Sequence, residues 1–275
     1  MVIMIKSRNK NFKKWGYKEN SKKLYSRINV HKNFSEKDID VWMLGIVKIK
    51  GDERILDLGC GDGKQIIAFG KKLTKGGEII GCDISNELLK RAKEKARENN
   101  VNASFLLHDI NQPFSFKDEE FDLVSSLFSI YYIKNPIKVI LEIKRLLNKK
   151  GKLFIAGPTS NNAKDFWELH SKITNKKIPQ ICLERRARIH NTFIPLVRKY
   201  FRNTEIDIFK NIVHFPSSDE LVKYYSSSLL LEESSRNREE KKIFLDKMKR
   251  EIEKFIERDG VFDIKKEVYG ILAYK

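Results

Sequence analysis

Arg54-Ile55-Leu56-Asp57-Leu58-Gly59-Cys60-Gly61-Asp62-Gly63 reads as a short buried strand, Ile55 to Leu58, that breaks into three alternate glycines. A helix is expected to begin near Lys64. A glycine-rich turn between strand and helix lets a ligand approach the backbone where any Cβ would collide. Dinucleotides and nucleoside-type ligands both use that geometry.

Two local features separate them. A dinucleotide fingerprint needs G-x-G-x-x-G, and Lys64 stands where its third glycine belongs. Asp57 also closes the strand, and a carboxylate there repels a pyrophosphate, which seeks a bare helix N-terminus. It suits a cationic ligand instead, such as S-adenosylmethionine with its ammonium and sulfonium. The order D-x-G-x-G-x-G resembles the first motif of the class I S-adenosylmethionine-dependent methyltransferases. The resemblance implies that Asp57 lies near the methionine moiety, and that Gly59, Cys60, Gly61 and Gly63 make room for the cofactor.

From this turn onward, strands and helices alternate. Strands are read at Glu78–Cys82, Ala103–Leu107, Phe121–Ser126 and Lys152–Ala156, with helices at Lys64–Leu73, Asn86–Asn99 and Pro136–Leu147. Such a βαβ succession gives an α/β fold with a parallel sheet and helices on both faces. A helix opening at Ser35 precedes it, burying Ile39, Trp42, Met43, Ile46 and Val47. Beyond Pro158 the pattern loosens: helical, basic residues 160–202, a strand from Thr204 to Val213, helices near Ser217–Tyr225 and Arg238–Glu257, and a last strand from Val261 to Tyr274. No repeat or linker is visible. Residues 35–275 therefore read as one domain, with a cofactor half at 51–158 and an acceptor-shaping part at 159–275. The resemblance implies a Rossmann-like sheet of seven strands, order 3-2-1-4-5-7-6, with strand 7 antiparallel. The long helical segment between the last two strands departs from that pattern.

Asp83 lies 20 residues past Gly63, at the end of the second strand, where one carboxylate can accept both ribose hydroxyls. Ile84 follows it. Being at a strand end, Asp83 is expected to matter for the ligand and not for the fold. Asp109 follows the third strand, where the resemblance implies an acid for the adenine amino group and places Ile110 against the ring. Ser126 to Tyr132 follows the fourth strand, between cofactor and acceptor in similar proteins. No Asn-Pro-Pro-Tyr or Asp-Pro-Pro-Tyr quartet for holding a flipped base is present, nor a Pro-Cys nucleophile. Candidates for chemistry on the acceptor are Tyr131, His190 and His214. The five histidines make no close-spaced pair, so no metal site is expected. Cys60, Cys82 and Cys182 make neither a disulfide framework nor a metal pair.

The net charge of +18 is concentrated. Residues 1–34 carry ten Lys or Arg against the single acid Glu19, half of the whole excess. This arm interleaves its bases with Phe12, Trp15, Tyr17, Tyr25 and Phe34, and Lys18 to Arg27 could form a helix. Its aromatics suit a lid; its bases suit RNA, as do Arg185, Arg186 and Arg188. Lys23-Leu24-Tyr25-Ser26-Arg27-Ile28 and the Phe215-Pro216-Ser217 turn are similar to uncharacterised small-molecule methyltransferases. The favoured reading is methyl transfer from S-adenosylmethionine to a small molecule. The alternatives are an RNA methyltransferase using the arm and a nucleoside-binding protein without turnover. No apolar run approaches the roughly 20 residues of a bilayer span, so a cytoplasmic protein with no membrane partner is expected.

Overall fold

A computed structural model of the protein describes residues 21–74 and 76–275. Helix α1 (Ser21–Phe34) and α2 (Ile39–Val47) lead into β1 (Arg54–Leu58), α3 (Lys64–Gly70), β2 (Glu78–Asp83), α4 (Asn86–Glu98), β3 (Ala103–Leu107), β4 (Phe121–Leu127), α5 (Pro136–Leu146) and β5 (Leu147–Pro158). Then follow α6 (Lys164–Thr174), α7 (Gln180–Arg188), a π-helical turn (Ile189–Phe193), α8 (Ile194–Tyr200), β6 (Arg202–Phe215), α9 (Ser218–Ser226), α10 (Leu229–Ser234), α11 (Arg238–Asp259) and β7 (Phe262–Tyr274). The seven strands lie in the order β3-β2-β1-β4-β5-β7-β6. Six run in the same direction, and β7 alone is antiparallel, pairing with both β5 and β6.

The inner strands are buried on both faces, so their residues form near-continuous apolar runs rather than alternating ones. One face packs against α5, the π-helical turn and α8 through Leu56, Val124, Ile140, Ile143, Phe193 and Val197. The other face packs against α2, α3 and α4 through Met43, Ile55, Phe69, Leu89, Leu123 and Phe154. The strand order reverses between β1 and β4. This leaves a crevice at the C-terminal ends of the strands, where open α/β sheets bind ligands.

A third cluster lies beyond the sheet proper. The β5–β7 pairing stops at Pro158↔Val268, whereas the β6–β7 pairing continues to Phe215↔Phe262. The projecting ribbon turns Val213, Phe215 and Ile264 into a helical cap built from α1, α6, α9, α10 and α11. On α11, Phe244, Met248 and Ile252 are buried, while Phe255 and Ile256 are only partly covered.

Local boundaries differ from the sequence reading where tertiary partners intervene. Asp38, not Ser35, caps α2 by accepting from the Asp40 amide. Ser35 instead bridges to Val213, and the Glu36 amide donates to the Ile212 carbonyl. Residues 35–37 thus extend the edge of β6, and pairing with that edge outweighs an early helix start. Of the expected Lys18–Arg27 helix, residues 18–20 lie outside the described residues, and the helix runs on to Phe34.

His170 ties the cap together. Fully buried on α6, its Nδ1 meets the Tyr225 hydroxyl at 2.5 Å and its Nε2 the Ser234 hydroxyl at 2.9 Å. Burial, reinforced by Lys176, pushes its pKa down to about 4 from an ordinary 6.5. The unfolded chain takes up this proton near pH 6.5 and the folded chain only near 4. Stability from a neutral His170 is therefore complete above pH 6.5 and is lost as pH falls through 4, by up to about 3 kcal/mol. Denaturation midpoints from pH 7 to 4 should fall, and His170→Gln should flatten the slope. His31, shifted in the same direction, leaves a residue of it.

Candidate functional site

The turn after β1 is fixed from beneath by β2. The amides of Gly59 and Cys60 both donate to the Cys82 carbonyl, at 2.8 and 2.9 Å, and the Gly63 amide donates to the Cys60 carbonyl at 3.0 Å. Gly59 and Gly63 adopt φ of 72° and 82°, the left-handed region that glycine enters without a Cβ penalty. Packing forbids a side chain as well: a Cβ on Gly59 would stand 2.5 Å from Ser129 Cβ, and one on Gly63 2.9 Å from Ala92 Cβ on α4. The Cys60 side chain is buried against Gly81, where its Sγ would lie 2.8 Å from an added Cβ. Burial pushes its thiol up, so it packs and does not react.

Three acids lie at or near the ends of β1, β2 and β3. Asp57 is buried, and its Oδ1 accepts from the Ser125 hydroxyl at 2.6 Å. Burial is the largest influence on it; together with nearby Asp83, it outweighs that hydrogen bond and raises the carboxyl to about pH 7. Asp83 accepts from the Gly61 amide through Oδ2 at 2.9 Å and from the Ser85 amide through Oδ1 at 2.8 Å. It therefore shapes the glycine turn and is not a purely ligand-facing acid, contrary to the expectation from its strand-end position. The adjoining Ile84 is an apolar side chain left 53% exposed. Asp109 Oδ1 accepts both the amide and the side-chain amide of Asn111, at 2.9 and 2.7 Å, and Ile110 packs against the core beside it.

Ser126 is fully buried, and its hydroxyl lies 3.3 Å from the Leu58 carbonyl and 2.7 Å from Ser129 Oγ. Ser129, which no sequence pattern singled out, donates to the same carbonyl at 2.6 Å. The two serines pin the end of β4 to the end of β1. Asp62, also missed, is buried in the turn and ion-paired with Lys95 of α4.

Helix α1 roofs this crevice. Leu24 Cδ2 lies 3.9 Å from the position of a Cβ on Gly61. The Tyr25 ring receives Arg91 at 4.8 Å and Lys95 at 5.0 Å, both from α4. On its other side α1 is held to the cap: Lys23 pairs with Glu232 at 2.6 Å, and Arg27 donates to the Ser227 carbonyl at 2.9 Å. Phe12, Trp15 and Tyr17 of the arm lie outside the described residues.

The candidates for acceptor chemistry do not converge. Tyr131 stays beside β4 with its ring near Gly157, and Arg188 holds its carbonyl at 2.7 Å. His190 is exposed in the π-helical turn, 3.2 Å from the Tyr269 hydroxyl. His214 is committed at both ring nitrogens, to Asp263 at 2.7 Å and Glu36 at 3.0 Å, and so fastens the α1–α2 linker to the ribbon. The histidine that joins the crevice is His31 on α1, within electrostatic reach of Lys64, the first residue of α3. The basic run of α7 also turns inward: Arg185 lies over Tyr132, Arg186 over Trp167, and Arg188 is buried. Among the described residues there is no cluster of His, Cys, Asp and Glu fit for a metal, and no helix long and apolar enough to cross a membrane.

The chain is similar to known proteins. The family model of the methyltransferase domain matches residues 49–217. An uncharacterised methyltransferase of Schizosaccharomyces pombe is 34% identical over 110 residues, 38% of this chain and 39% of that one. A demethylmenaquinone methyltransferase of Lactobacillus johnsonii is 31% identical over 133 residues, 46% of this chain and 54% of that one. The chain thus spans only about half the length of these two curated relatives. A solved SAM-dependent methyltransferase from Aquifex aeolicus superposes with a TM-score of 0.52 at 17% identity, covering 69% of this chain and 91% of that one, a likeness of fold.

Asp57 has a measurable signature. Its folded pKa lies above its unfolded value of 3.8, so its contribution to stability is present below pH 3.8 and lost as pH rises through about 7. Asp57→Asn should therefore gain little at pH 4 and up to about 4 kcal/mol at pH 8, where the native carboxyl is ionised and buried. Urea denaturation at the two pH values checks this; equal effects at both would disprove the assignment.

Proposed function

The chain belongs to the methyltransferase-domain family, and from that premise we infer that it transfers a methyl group from S-adenosylmethionine to an O, N or C nucleophile of a small molecule. The observation that carries this is the glycine turn with Asp57 beneath it. A buried carboxyl with one hydroxyl partner, close to a second acid, favours a cation over the pyrophosphate of a dinucleotide.

The residues present fit the cofactor. Gly59, Gly61 and Gly63 leave three of the five turn positions without a side chain. Asp83, already oriented by two backbone amides, has lone pairs left for ribose hydroxyls. The exposed Ile84 and the neighbouring Asp109–Ile110 offer an apolar wall and an acceptor for the base. The cofactor supplies a methyl group already activated by its sulfonium. The chain's own contribution is placement of the acceptor and exclusion of water, with α1 as the closing wall. No general base is required for an acceptor that arrives deprotonated.

A small-molecule acceptor is supported by two observations. Two bases of the arm, Lys23 and Arg27, are engaged within the protein, on Glu232 and on the Ser227 carbonyl, and so are not offered to phosphates. The Lactobacillus johnsonii relative is also named for a small molecule, demethylmenaquinone.

S-adenosylhomocysteine should raise the melting temperature while NAD does not, with about 2.7 kcal/mol gained at 100 times the dissociation constant. Because a bound ammonium would lower the Asp57 pKa from about 7, binding at pH 6 should release a proton and weaken as pH falls. Calorimetry in buffers of different ionisation enthalpy detects this, and Asp57→Asn should abolish it. A preference for NAD would refute the cofactor assignment.

The roof can be tested separately. Tyr25→Ala removes two cation–π contacts, each worth about 0.5–1 kcal/mol at such sites, and should weaken S-adenosylhomocysteine binding by roughly three- to thirtyfold. The loss should be nearly independent of salt, since the ring carries no charge. Unchanged affinity would mean that α1 does not close the site.

A further inference from the structure

Lys266 is the least explained charge in the protein. It stands on the projecting part of β7, paired in register with Asn211, and is only 7% exposed. Its ammonium reaches the Tyr224 hydroxyl on α9 and lies 4.7 Å from the centre of that ring. A phenol oxygen and a π-face answer part of a charge that presents three N–H donors. Among the described residues no carboxylate pairs with it. A buried ammonium without a counterion is costly, and buried charges are ordinarily paired.

The imidazole beside it is surrounded by further cations. His31, descending from the roof helix, sets its ring edge-on to Tyr224 with centroids 6.4 Å apart. Lys266, Lys64 and Arg27 all act on that imidazole, which burial and these three cations hold neutral down to about pH 3. Of these, Lys64 is answered by Asp40 at 3.1 Å, at the start of α2. The glycine turn is acidic beneath, through Asp57 and Asp83, whereas Lys266 on the ribbon meets a phenol and an imidazole and no described carboxylate. A cationic cofactor on one side and an anionic partner on the other would balance the two halves.

We propose that Lys266, positioned by Tyr224 and flanked by the His31 ring, holds an oxyanion of the methyl acceptor, a carboxylate or a phosphate. This rests on the methyltransferase reading given above. The site lies where the helical cap meets the roof helix, so it is complete only when α1 is docked. The ammonium supplies charge-assisted hydrogen bonds, and the neutral imidazole can add a donor without further charge. Tyr224 is a positioning residue here, since its hydroxyl acts through Lys266.

The test uses the full chain loaded with S-adenosylhomocysteine, titrated at constant ionic strength with inorganic phosphate, with benzoate, and with neutral benzamide. Phosphate or benzoate, but not benzamide, should raise the melting temperature and shift the His31 imidazole resonances. The stronger of the two anions identifies the acceptor's group. Lys266→Met should weaken that anion roughly tenfold or more, the loss of a charged hydrogen bond, and Lys266→Arg should restore it. S-adenosylhomocysteine affinity should be the same in all three proteins. Anions that bind no better than benzamide, or that bind Lys266→Met as tightly as the native protein, would overturn the proposal while leaving the cofactor reading intact. Failure of S-adenosylhomocysteine to bind would instead remove the methyltransferase reading, and this proposal with it. Should Lys266→Met not fold, the His31 resonances of the native protein decide: no shift on adding either anion rejects the site.

Discussion

One carbonyl holds the crevice open. Cys82, the penultimate residue of β2, accepts from the amides of both Gly59 and Cys60, while the next residue, Asp83, accepts from Gly61. These three bonds force the chain to turn sharply where β1 ends. The donors are consecutive, so the turn has no room for side chains that would demand other backbone angles. Everything at the crevice then follows from where β1 and β2 lie in register, with Leu58 opposite Cys82. Had the register slipped by one residue, the carbonyl would point away and the glycines would have no reason to be there.

The same neighbourhood accepts an electrostatic cost. Asp57 is buried in a strand next to Asp83, with one hydroxyl to offset its desolvation. A fold selected only for stability would place an amide or an apolar residue there. Perturbed carboxyls of this kind cluster at functional sites, where ligand charge compensates what the protein alone leaves uncompensated. Lys266 makes the complementary case on the other side of the roof.

Helix α1 is what makes the two halves a single enclosure. Leu24 and Tyr25 rest on the glycine turn and α4, while Lys23 and Arg27 are fixed to the cap. His214, bonded to Glu36 and Asp263, secures the linker behind it. The cap in turn exists because β6 and β7 outrun β5, leaving a two-stranded ribbon with one apolar face to cover. Lys23 and Arg27 of the basic arm and the arginine run of α7, which in sequence evoke a nucleic-acid surface, make contacts within the protein.

The sequence by itself determined the first five strands of this protein and the glycine turn after β1. Strand periods, glycine spacing and the acids at Asp57, Asp83 and Asp109 are local signals, each written within a few residues of the element it specifies. The seven-stranded order followed from resemblance to a family, and the structure has that order. Tertiary structure alone decided the rest. Ser35 has the chemistry of a helix cap, yet it pairs with Val213 because the β6 edge offered backbone partners. His190 and His214 looked better placed than His31 because they fall late in the chain. The structure brings His31 to Tyr224 and Lys266 instead, residues about two hundred positions away. Contacts of that span depend on how the ribbon projects and how α1 folds back. Neither leaves a period or a motif in the residues that take part.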